Sequence, residues 1–236
     1  MVFAALAITS SSLFFIKRKA IVSAIAATMA ALCLLVARMS WMDPEITNLV
    51  PVLQSPWLAI HVAVVMIGYA LAAISFLIAF INIILLCFLM EDNKKKILAL
   101  FHELILINKI ILIPASYFIA AGCFLGAIWA NEAWGRYWSW DPKEAWTLII
   151  IMVYGIIVHA PRIKFLQKGF VFNTAVFFAF STILMTYFGV NYFLGGMHSY
   201  AGGQMPTISN DFLFPLSFLL ILIIFAFYKY KSFTKN

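Results

Sequence analysis

Long apolar stretches bounded by short charged clusters run along the whole chain. Each approaches the roughly 20 residues that a hydrocarbon core about 30 Å thick requires. Seven can be marked off, approximately over 1–16, 20–37, 57–90, 110–130, 143–160, 170–190 and 212–228. The third is over-long and is expected to continue as helix beyond the membrane. The first is short and carries Thr9, Ser10, Ser11 and Ser12 at its middle. The pattern predicts an all-α fold: a polytopic transmembrane helix bundle of about six to seven spans. It forms a single membrane domain over 1–236, with leading spans and an exterior loop in 1–49 and a last span and basic tail in 212–236. Between spans, "ILALFHELILINK" at 97–109 has too few polar residues for a clean amphipathic helix and is expected to rest at the inner interface.

Composition agrees with the pattern. At 65% hydrophobic and 11% charged, 236 residues carry more apolar side chain than a soluble core of this size needs, so the bilayer is the solvent. The basic run Lys17–Arg18–Lys19 follows the first apolar block instead of preceding it, and no small-residue cleavage site comes after, so the block reads as part of the mature fold. A chain opening in this way could also be one piece of a longer fusion.

Charge then sets orientation. Of 16 Lys and Arg, all but Arg38, Arg136 and Lys143 fall on one side of the seven-span scheme, which places the C-terminus in the cytoplasm and the stretch around 134–142 outside. The net charge of +7 therefore reports topology. It gives no footprint for nucleic acid, because the bases sit in juxtamembrane runs without a folded basic domain. No internal repeat and no glycine-rich phosphate loop occurs. Cys33, Cys87 and Cys123 stand singly within apolar spans and read as small core residues.

The candidate chemistry lies in histidine and tryptophan. His61 follows "SPWLAI", where Ser55 suits an N-cap and Pro56 the first helical position, so it stands roughly 8 Å into its helix, near the outer surface. His198 lies in the exterior loop "GGMHSYAGG". His159 is roughly 25 Å deep, close to the inner boundary. Taken singly, such a histidine serves a helix contact or a solvated loop as readily as a ligand. Taken together, the two exterior imidazoles can fill the two axial positions of a haem iron, whereas zinc would want a third or fourth protein ligand.

All seven tryptophans fall at the outer side, and "WGRYWSWDPKEAW" at 134–146 concentrates them beyond what an aromatic belt needs. Trp129, Trp134, Trp138 and Trp140 would suit a planar macrocycle. Asp141 and Glu144 have a structural reading as N-cap and N3 of a capping box, with ligand binding an equal alternative for Asp141. Arg136 and Lys143 are the bases beside the plate, available to haem propionates.

"WANEAWGRYWSWDPKEAW" resembles the W-G-x-x-W-x-W-D signature of the membrane haem-handling proteins, closest to the CcsA (ResC) type of system II cytochrome c biogenesis. "LQSPWLAIHV", "GIIVHAPR" and "GGMHSYA" resemble the family's histidine segments in order, so the likeness covers about 50–205.

The resemblance implies haem b as substrate, carried to the exterior and joined to the Cys-X-X-Cys-His motif of apocytochrome c, a holocytochrome c synthase (lyase) activity. It implies a CcsB (ResB) partner or fused domain. It makes His61 and His198 the exterior iron ligands and catalytic pair, with the tryptophan loop holding the porphyrin, and His159 an inner haem station completed by the partner. The location implied is a bacterial inner membrane with the tryptophan loop periplasmic, or a thylakoid membrane. Two other readings stand beside it: a haem exporter or chaperone feeding a separate ligase, and a non-haem secondary transporter using histidines as proton relays. The second predicts acids within the spans, which are nearly free of them.

Overall fold

The computed structural model describes residues 20–37, 54–198 and 213–234. The predicted span 1–16, Trp41 and the loop after His198 lie outside the described residues. Within them every regular element is helical: α1 (Ala20–Ala37), α2 (Pro56–Cys87), α3 (Lys94–Trp134), α4 (Pro142–Val158), a short 3-10 turn (Ala160–Arg162), α5 (Gly169–Leu184), α6 (Val190–Phe193) and α7 (Leu213–Thr234). A π turn, Met185–Gly189, joins α5 to α6. Four helical stretches are long and apolar enough to cross a membrane: Pro56–Cys87, Lys94–Trp134, Gly169–Phe193 and Phe214–Phe233. At 17 residues, α4 sits at the lower limit for a span.

The predicted over-long third span is a single helix of 32 residues. Its extended Ser55 and Pro56 start it as expected, but the Ser55 hydroxyl makes no cap bond. It donates to Glu132 Oε2 at 2.8 Å instead and ties the start of α2 to the end of α3. The segment 97–109, expected at the inner interface, is helical. It is the first part of α3, a continuous helix of 41 residues. Phe101, Leu104, Ile105 and Asn108 are buried there and pack on the bundle, while Leu106 is exposed. A left-handed Gly135 (φ 71°) stops the helix and returns its N–H to Asn131 O at 2.9 Å.

α2 is the central helix, buried along Gly68–Ser75 and again at Ile78, Ala79, Asn82, Ile83 and Leu86. It packs on α3 through small residues. A Cβ on Gly68 would sit 2.7 Å from Ile119 Cγ1, and one on Gly122 would collide with Val65. Lipid tails are as apolar as leucine, so close backbone approach of this kind, with its dispersion contacts, holds helices together in a membrane. Phe76 of α2 stacks on Phe177 and Phe180 of α5 at 4.9 and 4.8 Å. Asn82 donates to Asn173 Oδ1 at 3.1 Å across the same interface. Asn108 donates to the Ser75 carbonyl at 3.2 Å.

The two ends of the bundle differ. At one end Lys229 Nζ donates to Leu89 O at 3.2 Å and Lys94 lies over the Phe233 ring at 5.6 Å. At the other, the α3–α4 loop meets residues 196–198.

Candidate functional site

Asp141 organises the second end. It is the N-cap of α4, in the full capping box expected from "DPKE": its Oδ2 accepts the Lys143 N–H at 3.1 Å, and Glu144 Oε2 accepts the Asp141 N–H at 3.2 Å. Its carboxylate also takes two groups from the loop after α6. Oδ1 accepts the Met197 N–H at 2.6 Å, and Oδ2 lies 2.9 Å from His198 Nδ1. Gly196 permits the approach, because a Cβ there would collide with the carboxylate. Burial alone would raise the Asp141 carboxyl, but the hydrogen bonds from His198, Lys143 and Met197 outweigh it and hold the group below its ordinary value. His198 is also held below its ordinary value, first by burial, with Asp141 opposing. A charged Asp141 cannot donate, so Nδ1 of His198 carries the proton and Nε2 keeps its lone pair.

His61 reaches the same state by another route. Its Nδ1 stands 2.7 Å from the carbonyl of Gly122 on α3. A carbonyl only accepts, so Nδ1–H donates and Nε2 is again the free nitrogen. Gly126, one turn on, leaves room for the ring: a Cβ there would lie 2.7 Å from His61 Cε1. The sequence reading missed both glycines. Their signal was present as "GCFLG", a Gly-x-x-x-Gly pair at 122–126.

Both histidines line one open pocket, with Cys123, Gly126, Ala127, Tyr137, Trp138, Lys143, Glu144 and Thr147. Cys123, expected as a core residue, is partly exposed on this wall. Among the described residues no three His, Cys, Asp or Glu side chains converge as a metal-ligand set.

Among the described tryptophans Trp138 lines the pocket, and the rings of the motif do not form a flat plate. Trp129 is 1% exposed and Trp134 meets it edge-on at 4.8 Å. Both pack on the His198 ring, at 5.6 and 4.8 Å. Trp138 and Trp140 are perpendicular at 5.7 Å, the edge-to-face arrangement that the ring quadrupole favours. Trp140 is 72% exposed and has φ 60°, a left-handed conformation that costs a bulky residue roughly 1–3 kcal/mol.

The two candidate bases part company. Lys143 is half-buried in the pocket wall, with Nζ donating to Asn191 Oδ1 at 3.0 Å. Arg136 is exposed and its Nη2 meets Met197 Sδ at 3.2 Å. His159 is not brought to this pocket. It is the exposed C-cap of α4, bonded through Nδ1 to Gly155 O at 2.8 Å, about 25 Å along the helix from Asp141.

A sequence model of the cytochrome C assembly protein family matches residues 1–198. The chain belongs to this family. Its relatives mark it as CcsA-type. It is 35% identical over 189 residues to the cytochrome c biogenesis protein CcsA of Cuscuta exaltata, covering 69% of this chain and 59% of that protein. The CcsA of Chlamydomonas reinhardtii is 38% identical over 159 residues, 66% of this chain and 44% of that protein. The protein NrfI of Wolinella succinogenes is 41% identical over 194 residues, 82% of this chain and 21% of that protein. The CcsA-type chain thus spans less than two thirds of each of these relatives.

Proposed function

We propose that this CcsA-type chain handles haem b as cargo and substrate: it presents haem at the outer pocket, between His61 and His198, for covalent attachment to the Cys-X-X-Cys-His motif of apocytochrome c. The observation that carries this reading is the shared state of the two imidazoles. Each is anchored through Nδ1, by Gly122 O or Asp141, and each leaves Nε2 free beside one pocket. Two neutral imidazoles are a complete axial set for haem iron, and a carboxylate or carbonyl on the far nitrogen is the usual way such ligands are oriented. Family membership points the same way.

Filling both axial positions leaves no open site for oxygen, which protects the ferrous state. Attachment then needs no further oxidant: each cysteine S–H adds across a vinyl group, sulfur to the carbon next to the ring and the proton to the terminal carbon. The substrate's own histidine can displace one axial imidazole and so couple attachment to release. Trp138 and Trp140 would contact the porphyrin, while Trp129 and Trp134 hold His198. Lys143, inside the pocket wall, is better placed for a propionate than the exposed Arg136.

In this reading His159 marks an inner station completed by a CcsB (ResB) partner or fused domain, in keeping with its exposure. The tryptophan end faces the periplasm of a bacterial inner membrane, or a thylakoid lumen, and the basic end the opposite side. Coexpression with an apocytochrome bearing Cys-X-X-Cys-His, with and without a CcsB partner, tests it. Covalent haem on the cytochrome in the presence of the partner supports a synthase. Haem that copurifies with the chain while none becomes covalent identifies a chaperone or exporter.

A further inference from the structure

Trp140 has φ 60° and an indole 72% exposed, and its ring meets Trp138 of the pocket wall edge-on at 5.7 Å. Nothing in a tryptophan favours the left-handed region, so the surrounding chain must hold it there. The holding group is Glu144. Its Oε2 accepts the backbone N–H of Ser139 at 2.8 Å and that of Asp141 at 3.2 Å, the residues on either side of Trp140. The Ser139 hydroxyl also donates to the same carboxylate, at 3.2 and 3.3 Å. One oxygen thus draws together two amides two residues apart, and the intervening residue takes up the tight bend.

We propose that Glu144 is the positioning residue of the tryptophan loop: by binding the amides of Ser139 and Asp141 it fixes Trp140 in the left-handed conformation and so keeps its indole against Trp138 of the pocket wall. The capping box explains only the bond to Asp141. The bonds to Ser139 have no part in starting α4 and serve the loop alone. A prearranged indole spares the ligand the entropy of ordering it. The consequence for haem rests on the function proposed above; the effect on the loop does not.

Two readouts test this on the full chain in detergent, using wild type, Glu144→Ala, Glu144→Gln, Trp140→Gly and the double variant Trp140→Gly/Glu144→Ala. Without added haem, amide hydrogen exchange of Ser139 and Asp141 is expected to rise about tenfold in Glu144→Ala and less in Glu144→Gln, while amides beyond the first turn of α4 keep their protection. Unchanged exchange at both amides overturns the proposal. With haem, Glu144→Ala is expected to lower occupancy several-fold, with partial recovery in Glu144→Gln. It should cost little more in the Trp140→Gly background, because glycine adopts the bend freely and no indole is left to place. An equal loss in both backgrounds overturns the proposal and leaves Glu144 a helix cap. Should His61→Ala and His198→Ala leave bound haem untouched, the haem reading fails, and the exchange result alone still decides the role of Glu144.

Discussion

His198 Nδ1 lies 2.9 Å from Asp141 Oδ2, and that same carboxylate begins α4. A candidate iron ligand from the loop after α6 is therefore held by the residue that starts a helix in another part of the chain. Ligand orientation and local folding are coupled through one side chain. Asp141→Asn keeps an acceptor for the cap but removes the charge and frees the tautomer of His198. The expected result is a 10- to 100-fold loss of haem affinity, roughly the range for removing such a supporting carboxylate. Haem titration of the purified variant, with circular dichroism confirming unchanged helix content, checks it.

Gly126 makes the corresponding test for His61. Gly126→Ala would drive a methyl into the imidazole, within 2.7 Å of Cε1, and should displace the ring and reduce haem binding. Gly155→Ala is the control: a Cβ there meets nothing within 4 Å, so haem binding should match the wild type. Equal binding in both variants would show that His61 does not depend on its α3 seat.

Acid should release haem before it unfolds the helices. Burial holds His198 below its ordinary value of 6.5, so the folded loop resists a proton that the released loop accepts. The stability contributed by the neutral imidazole is complete above that value and declines as pH falls below it. The Asp141 contribution has the same sign and is lost in a more acidic range, as pH falls from its ordinary value of 3.8 through its own lowered value. A Soret titration should be flat above about pH 7 and fall below about pH 6.5, while helicity persists.

Much of this was legible in the chain because it is local. The capping box is four consecutive residues, the starts of α2 and α4 carry Pro56 and Pro142, and the apolar blocks mark the long helices. The pairing of His61 with His198 is not local; it was read from their exterior placement on either side of the tryptophan loop, and the resemblance added to it. What anchors each histidine was not legible at all. The Gly122 carbonyl is 61 positions from His61, and backbone carbonyls carry no sequence signal. The burial of Asn108 within 97–109 was not legible for a related reason: its Nδ2 donates across the α2 interface to the Ser75 carbonyl. Nor does a run of tryptophans disclose that its rings will pack edge to face.

The Asn82–Asn173 bond should add modest stability between α2 and α5. A double-mutant cycle to leucine is expected to show a coupling of about 0.6 kcal/mol, no larger than about 1.7 kcal/mol, as is usual for polar contacts between membrane helices. Denaturation in mixed micelles measures it. Haem binding at the outer pocket should not change.

The central claim is that His61 and His198 hold one haem between them. Absorption spectra of the purified protein, with and without a CcsB partner, test it most directly in wild type, His61→Ala, His198→Ala and His159→Ala. The account requires that either outer substitution abolish or convert the six-coordinate reduced spectrum, that added imidazole restore it, and that His159→Ala leave the outer spectrum in place. Unaltered haem content and spectrum in both outer variants would contradict it.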